Sequence, residues 1–163
     1  MYQTHIGHAH LKVRDLDRSS AFYTRFLNLH ETERVGDRYA FLTGGALHHE
    51  IALQHVGPDA PQPSERGTGL YHVAFEVSSA RDFAAAYRAL TAAGVSVAPV
   101  DHLISWALYF DDPDGNGLEI YWDTRERPEG ASLWRGVNRP LEPETIRAAL
   151  RAPTGHPDEE GQP

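Results

Sequence analysis

The sequence predicts an α+β fold made of two β-α-β-β-β units. Three observations carry that prediction. The order strand, helix, strand, strand, strand is read twice along the chain. The two opening strands align, with residues 8–13 (HAHLKV) falling on 72–77 (HVAFEV), so that His8 matches His72. A turn-rich stretch, residues 57–69 (GPDAPQPSERGTG), separates the copies.

Residues 5–13 open the first unit as a strand, with Ile6, Leu11 and Val13 as apolar positions. Asp15 and Asp17 are both available N-caps for the next helix, because a short carboxylate accepts from the free N–H groups of a first turn. Phe22, Phe26 and Leu27 fall on one face of that helix, and Asn28 ends it. The second strand of this unit is only weakly marked. Residues 39–43 form the third, and Gly44 and Gly45 turn the chain into a fourth at 48–56. The second unit opens with a strand at 70–77. Ser78 or Ser79 caps a helix on which Phe83, Tyr87 and Leu90 are spaced i, i+4, i+7, and Gly94 stops it. Strands at 95–100, 106–111 and 118–122 complete the unit, with residues 112–117 (DPDGNG) as the hairpin turn between the last two. Aligning the final strands places 49–53 (HEIAL) on 118–122 (LEIYW) and so pairs Glu50 with Glu119. The units read as a single domain over residues 1–122, with modules at about 5–56 and 69–122. Residues 123–163 are a C-terminal extension of different composition, with a helix over 142–151 that starts beside Pro143 and a disordered end at 152–163.

Composition narrows the chemistry. The chain has 163 residues, a net charge of −8, ten histidines and no cysteine. Without Cys there is no disulfide framework, thiolate nucleophile or thiolate metal site. An acidic chain lacks the electrostatic footprint for nucleic acid. Its apolar runs fall far short of the ~18 residues that span a membrane. The first twelve residues are rich in His and do not read as a signal peptide, so a cytoplasmic location is expected.

Any bound metal must therefore have nitrogen and oxygen ligands. Two related units that each begin with a histidine can bring His8 and His72 together about a pseudo-twofold axis. Adding Glu119 from the last strand makes two imidazoles and one carboxylate, the facial triad of non-haem Fe(II) sites, which leaves positions open for substrate and O2. The same donors suit Mn(II), Ni(II) or Zn(II).

The sequence resembles the vicinal oxygen chelate superfamily of glyoxalases, bleomycin-resistance proteins and type I extradiol dioxygenases. Four stretches carry the likeness: 7–23 (GHAHLKVRDLDRSSAFY), 48–53 (HHEIAL), 70–77 (LYHVAFEV) and 109–122 (YFDDPDGNGLEIYW). The resemblance implies paired βαβββ modules forming a curved mixed sheet around one metal site. It is nearest to single-domain dioxygenases similar to catechol 2,3-dioxygenase. It then implies His8, His72 and Glu119 as metal ligands, His49 as the acid–base histidine, Tyr109 as a substrate-binding tyrosine and His102 as a second active-site histidine. The implied reaction joins a catecholic substrate and O2 to give a muconic-semialdehyde-type product. Exposed strand edges and modest size suit a homodimer.

One alternative turns on two adjacent residues. Strand alternation sends His49 and Glu50 to opposite faces, so a regular strand cannot aim both at a metal. If Glu50 ligates, the site resembles a four-ligand glyoxalase-like isomerase or a metal-dependent thiol transferase. If His49 faces the cavity, the dioxygenase is favoured, and His102 and Tyr109 agree with it. A protein that sequesters an antibiotic is the remaining alternative. His10 shares strand parity with His8, and His48 adjoins His49; neither is assigned a role. Tyr71 and Trp106 suit a pocket or the core. Trp134 suits a place over the cavity or on the outer surface.

Overall fold

A computed structural model of the chain describes residues 2–64, 66–128 and 130–151. The first unit runs β1 (Ala9–Val13), α1 (Leu16–Leu27), β2 (His30–Val35), β3 (Tyr39–Thr43) and β4 (Ile51–His55). The second runs β5 (Val73–Glu76), α2 (Ala80–Ala92), β6 (Ala98–Asp101), β7 (Ser105–Asp111) and β8 (Gly117–Asp123), followed by β9 (Arg139–Pro140) and α3 (Pro143–Ala149). Among the described residues the strands form two mixed sheets, ordered β1-β4-β3-β2 and β5-β8-β7-β6-β9. In each unit the first strand lies parallel to the last and the other pairings are antiparallel. The α+β architecture and the repeat are as the sequence predicts. The disordered end expected at 152–163 lies outside the described residues.

The helix signals resolve to Asp15, whose side chain accepts from Arg18 N at 2.9 Å, and Ser79, which accepts from Asp82 N at 3.1 Å. Asn28 and Gly94 end the helices in the left-handed region, with φ of 55° and 77°. Three strands start later than expected. Pairing begins at Ala9, Ile51 and Val73, so His8, His49 and His72 stand just ahead of their strands. The weakly marked strand is β2, HETERV, whose six residues are all exposed. It is an edge strand held by β3, and its charged surface suits an edge that must not recruit other strands.

The buried face of α1 is Leu16, Ser19, Ser20 and Tyr23. The expected stripe of Phe22, Phe26 and Leu27 packs half-buried at the margin of the core instead. Polar groups take the interior because each has a partner there: Ser20 donates to Glu31 at 2.8 Å, Ser19 to Asp114 at 3.2 Å and Tyr23 to Asp112 at 3.0 Å. Burial, and then the Asp112 carboxylate, push the Tyr23 phenol far above its ordinary pKa.

The DPDGN turn therefore ties the two units together. Asp112 Oδ1 accepts from Asp114 N and Asn116 N at 2.8 and 2.9 Å, while Oδ2 accepts from Tyr23 and from Asn116 Nδ2. Asp114 takes Arg14 Nε at 2.7 Å and Arg18 Nη2 at 2.6 Å. Burial pushes the Asp114 pKa up, but these bonds outweigh it and hold the carboxyl below its ordinary range. Its contribution to stability is thus complete above that range and lost as pH falls through the lowered value. Gly117 follows because a Cβ there would collide with the Tyr71 carbonyl. Asp112→Ala is expected to cost about 3 kcal/mol, since it orphans a buried hydroxyl and two turn N–H groups. That lowers the thermal midpoint by about 10 °C. A melting point within about 2 °C of the parent's would show that the turn does not hold the units together.

Candidate active site

The second sheet gathers four of the residues expected at the site. His72 stands at the mouth of β5, and its Nε2 lies 2.9 Å from Glu119 Oε2. Glu119 is buried on β8 and in register with Ala74 on one side and Tyr109 on the other. The Tyr109 ring lies 5.4 Å from that of His72, and its hydroxyl is 2.9 Å from His102 Nε2. Burial, and then the Glu119 carboxylate, push the Tyr109 pKa up to about 12. The phenol therefore keeps its proton at neutral pH and serves as a donor.

Hydrogen-bond accounting assigns that proton's direction. His102 Nδ1 is buried without a partner. In the neutral ring, an N–H on Nδ1 would be an orphaned donor, whereas an N–H on Nε2 donates to the Tyr109 oxygen. The phenol proton is then free to point toward Glu119 and the space beside it. His102 sits in the β6–β7 turn, where its backbone N–H donates to Ser105 O at 2.9 Å.

The first sheet holds the other two. The His8 and His49 rings are 4.5 Å apart, and His49 packs on Phe41 at 4.9 Å. His48 Nδ1 lies 2.9 Å from His49 Nδ1, and its Nε2 is 3.1 Å from Glu33. Burial first, then the neighbouring His8, His48 and His10, lower the His49 pKa, which favours the neutral ring. His10 packs edge-on to Tyr39. Trp106 packs on the buried Phe83 and beside Trp122 at the core margin, and Tyr71 is exposed beside His72.

Strand register corrects the sequence alignment of Glu50 with Glu119. In β1 and β4 the partners are Ala9↔Ile51 and His10↔Ala52; in β5 and β8 they are Val73↔Leu118 and Ala74↔Glu119. Since Ala9 corresponds to Val73, Glu119 corresponds to Ala52. Phe41, opposite Ala52, likewise occupies the place of Tyr109, opposite Glu119. Glu50 has separate work. Its Oε2 accepts from Gly44 N at 2.8 Å and from Thr43 Oγ1 at 3.0 Å, which closes the Gly-Gly turn. The first unit thus keeps the strand frame but has a methyl where the second has a carboxylate, and a phenyl where it has a phenol.

The structure brings His72, Glu119, Tyr109 and His102 together, and separately His8 and His49. Among the described residues no three His, Asp or Glu side chains are gathered closely enough to hold a metal. The donor chemistry nevertheless suits one at His72 and Glu119. One imidazole nitrogen and one carboxylate oxygen converge there, and the ring's other nitrogen is buried without a partner. Sequence reasoning missed Ala52 and Phe41, whose signal lay in counting register from the parallel partner strand. Glu33, the partner of His48, lies on the weakly marked β2.

Paired β-α-β-β-β units with a histidine ahead of each opening strand and a carboxylate on the closing one define the class of protein. Residues 5–120 match the Glyoxalase/Bleomycin resistance protein/Dioxygenase superfamily, and the chain belongs to it. It is 36% identical over 132 residues to a catechol-2,3-dioxygenase of Bacillus subtilis (strain 168), covering 81% of this chain and 44% of that protein. The chain thus spans less than half the length of that relative. It is 33% identical over 122 residues to glutathione transferase FosA of Serratia marcescens, covering 71% of this chain and 79% of that one. A crystal structure of a glyoxylase/bleomycin resistance protein/dioxygenase domain from Frankia sp. EAN1pec superposes with a TM-score of 0.65 at 32% identity, over 79% of this chain and 98% of the other. No described helix is long and apolar enough to cross a membrane.

Proposed function

We propose that the protein is an Fe(II)-dependent extradiol dioxygenase, which opens a catecholic ring with O2 to a muconic-semialdehyde-type product. One observation carries this reading. A protonated phenol, Tyr109, stands in register with Glu119 and against His72, while the matching place in the first unit is apolar. Recognition of a diol needs a donor beside the metal ligands, and Ala52 supplies no second carboxylate to fill the open positions. His72 and Glu119 would hold the metal, with His8 as the third ligand.

When bound, Fe(II) supplies a Lewis-acidic centre for the two diol oxygens and for O2. Tyr109 keeps its proton and donates a hydrogen bond to a diol oxygen. His102 donates from Nε2 to the Tyr109 oxygen and so fixes the phenol's direction. His49, favoured in its neutral form, takes the proton of the second diol hydroxyl on a ring nitrogen and later returns it.

Anaerobic Fe(II) loading, followed by a catechol and O2, is expected to give a yellow ring-fission product near neutral pH. The assignment fails if no catechol yields that chromophore while Ni(II) or Zn(II) supports methylglyoxal–glutathione isomerisation, or Mn(II) supports transfer of a thiol.

A further inference from the structure

The segment after β8 is fastened over the turn that carries His102. Thr124 donates from its backbone N–H to Ile104 O at 2.9 Å and from its hydroxyl to Leu103 O at 3.2 Å. Ala131 N reaches the same Leu103 carbonyl, also at 3.2 Å. β9 then pairs with β6, with Asp101 opposite Arg139 and Val100 opposite Pro140. Leu103, at φ 69°, holds a left-handed conformation costly for its side chain, so the turn is set by these contacts.

This segment brings Trp134 to the site. Its ring meets His102 edge-on, with centroids 5.8 Å apart and planes at 89°. The indole N–H donates to Val137 O at 2.7 Å, with Asn138 Oδ1 at 3.3 Å, within a loop that turns on Arg135 and Gly136 at φ of 53° and 74°. The ring is thus fixed by its own loop and by His102, yet it remains 46% exposed and outside the core. An ordered indole with an open face is suited to stacking against a planar apolar group. It ends a continuous line of side chains that runs through His102, Tyr109 and His72 to Glu119.

We propose that Trp134 forms a wall of the substrate pocket and selects catechols bearing an apolar, aromatic substituent. The substituent stacks on the indole while the diol lies at Tyr109. This inference rests on the ring-cleaving reading above, and its test separates the two. The full-length protein, loaded with Fe(II), is compared with Trp134→Ala and Trp134→Phe on 3-phenylcatechol and on unsubstituted catechol. Trp134→Ala should raise KM for 3-phenylcatechol about tenfold and shift KM for catechol less than twofold, and Trp134→Phe should restore most of the loss. Anaerobic calorimetric titration of 3-phenylcatechol should show the same tenfold weakening without turnover. Equal effects on both catechols, or a fall in kcat alone, would mean that Trp134 acts only through His102 and would overturn the proposal. So would unchanged binding in both variants. If neither catechol is cleaved by the parent protein, the dioxygenase reading fails. The titration then decides for Trp134 alone: tenfold weaker binding in the Ala variant, rescued by Phe, supports a pocket wall, and no difference overturns it.

Discussion

Glu119→Gln is expected to remove metal and turnover together. The amide keeps the side chain's volume and its hydrogen bond to His72, so the second sheet stays folded. What it loses is the carboxylate that converges with His72 Nε2 at 2.9 Å, the pair of expected ligands found together among the described residues. Metal content after desalting should fall by at least tenfold, and kcat/KM by at least about a thousandfold. Glu50→Gln is the matched control. That carboxylate closes the Gly44 turn, and the register equivalent of Glu119 is Ala52, so the variant should keep its metal and its turnover. It should lose only about 1 kcal/mol of stability. Metal analysis of both variants separates a three-ligand from a four-ligand site. If Glu50→Gln releases the metal as Glu119→Gln does, the isomerase-like alternative is right and register has misled.

The sequence alignment matched Glu-Ile in 49–53 to Glu-Ile in 118–122 by letter. The pairings show a slip of two residues, and a slip of two leaves every side chain on its original face. Apolar alternation, which detects a slip of one, is blind to it. The opening strands keep the match of His8 to His72, because the helix caps Asp15 and Ser79 follow them at equal distance. The repeat itself was legible because helix and strand periods recur in order. β2 was only weakly marked, because HETERV is a wholly exposed edge with no apolar face to mark it. The buried face of α1 escaped for another reason. Ser19 and Tyr23 are interior because Asp114 and Asp112 meet them from about 90 residues away, and no local pattern encodes such a partner. The DPDGN motif was visible as a turn, but its service as a clamp needed the helix in view. The candidate site residues were readable one by one along the chain. The division into a sheet bearing His8 and His49 and another bearing the rest belongs to the tertiary structure.

That division makes His49 the second sensitive position. His49→Ala is expected to lower kcat by about a hundredfold to ten-thousandfold, the usual worth of a positioned acid–base group, with metal content within twofold of the parent. His8→Ala should instead lower both. The contrast follows from one contact. The two rings lie 4.5 Å apart at neighbouring strand mouths of one sheet, so whatever carries His8 to the His72–Glu119 pair carries His49 beside it. Under the proposed function, ligand completion and base delivery would be one event, and the two variants are expected to split it. Losing the ligand disables both parts, and losing the base leaves the completed site without a proton acceptor. Phe41, which packs on His49, should matter in the same sense but less, because it holds the ring without taking the proton. Iron quantified in each variant, with kcat measured at saturating catechol, gives the decisive pair of numbers. A His49 variant that loses iron in step with activity would move this histidine from proton transfer to ligation, and the acid–base role would have to pass to another group.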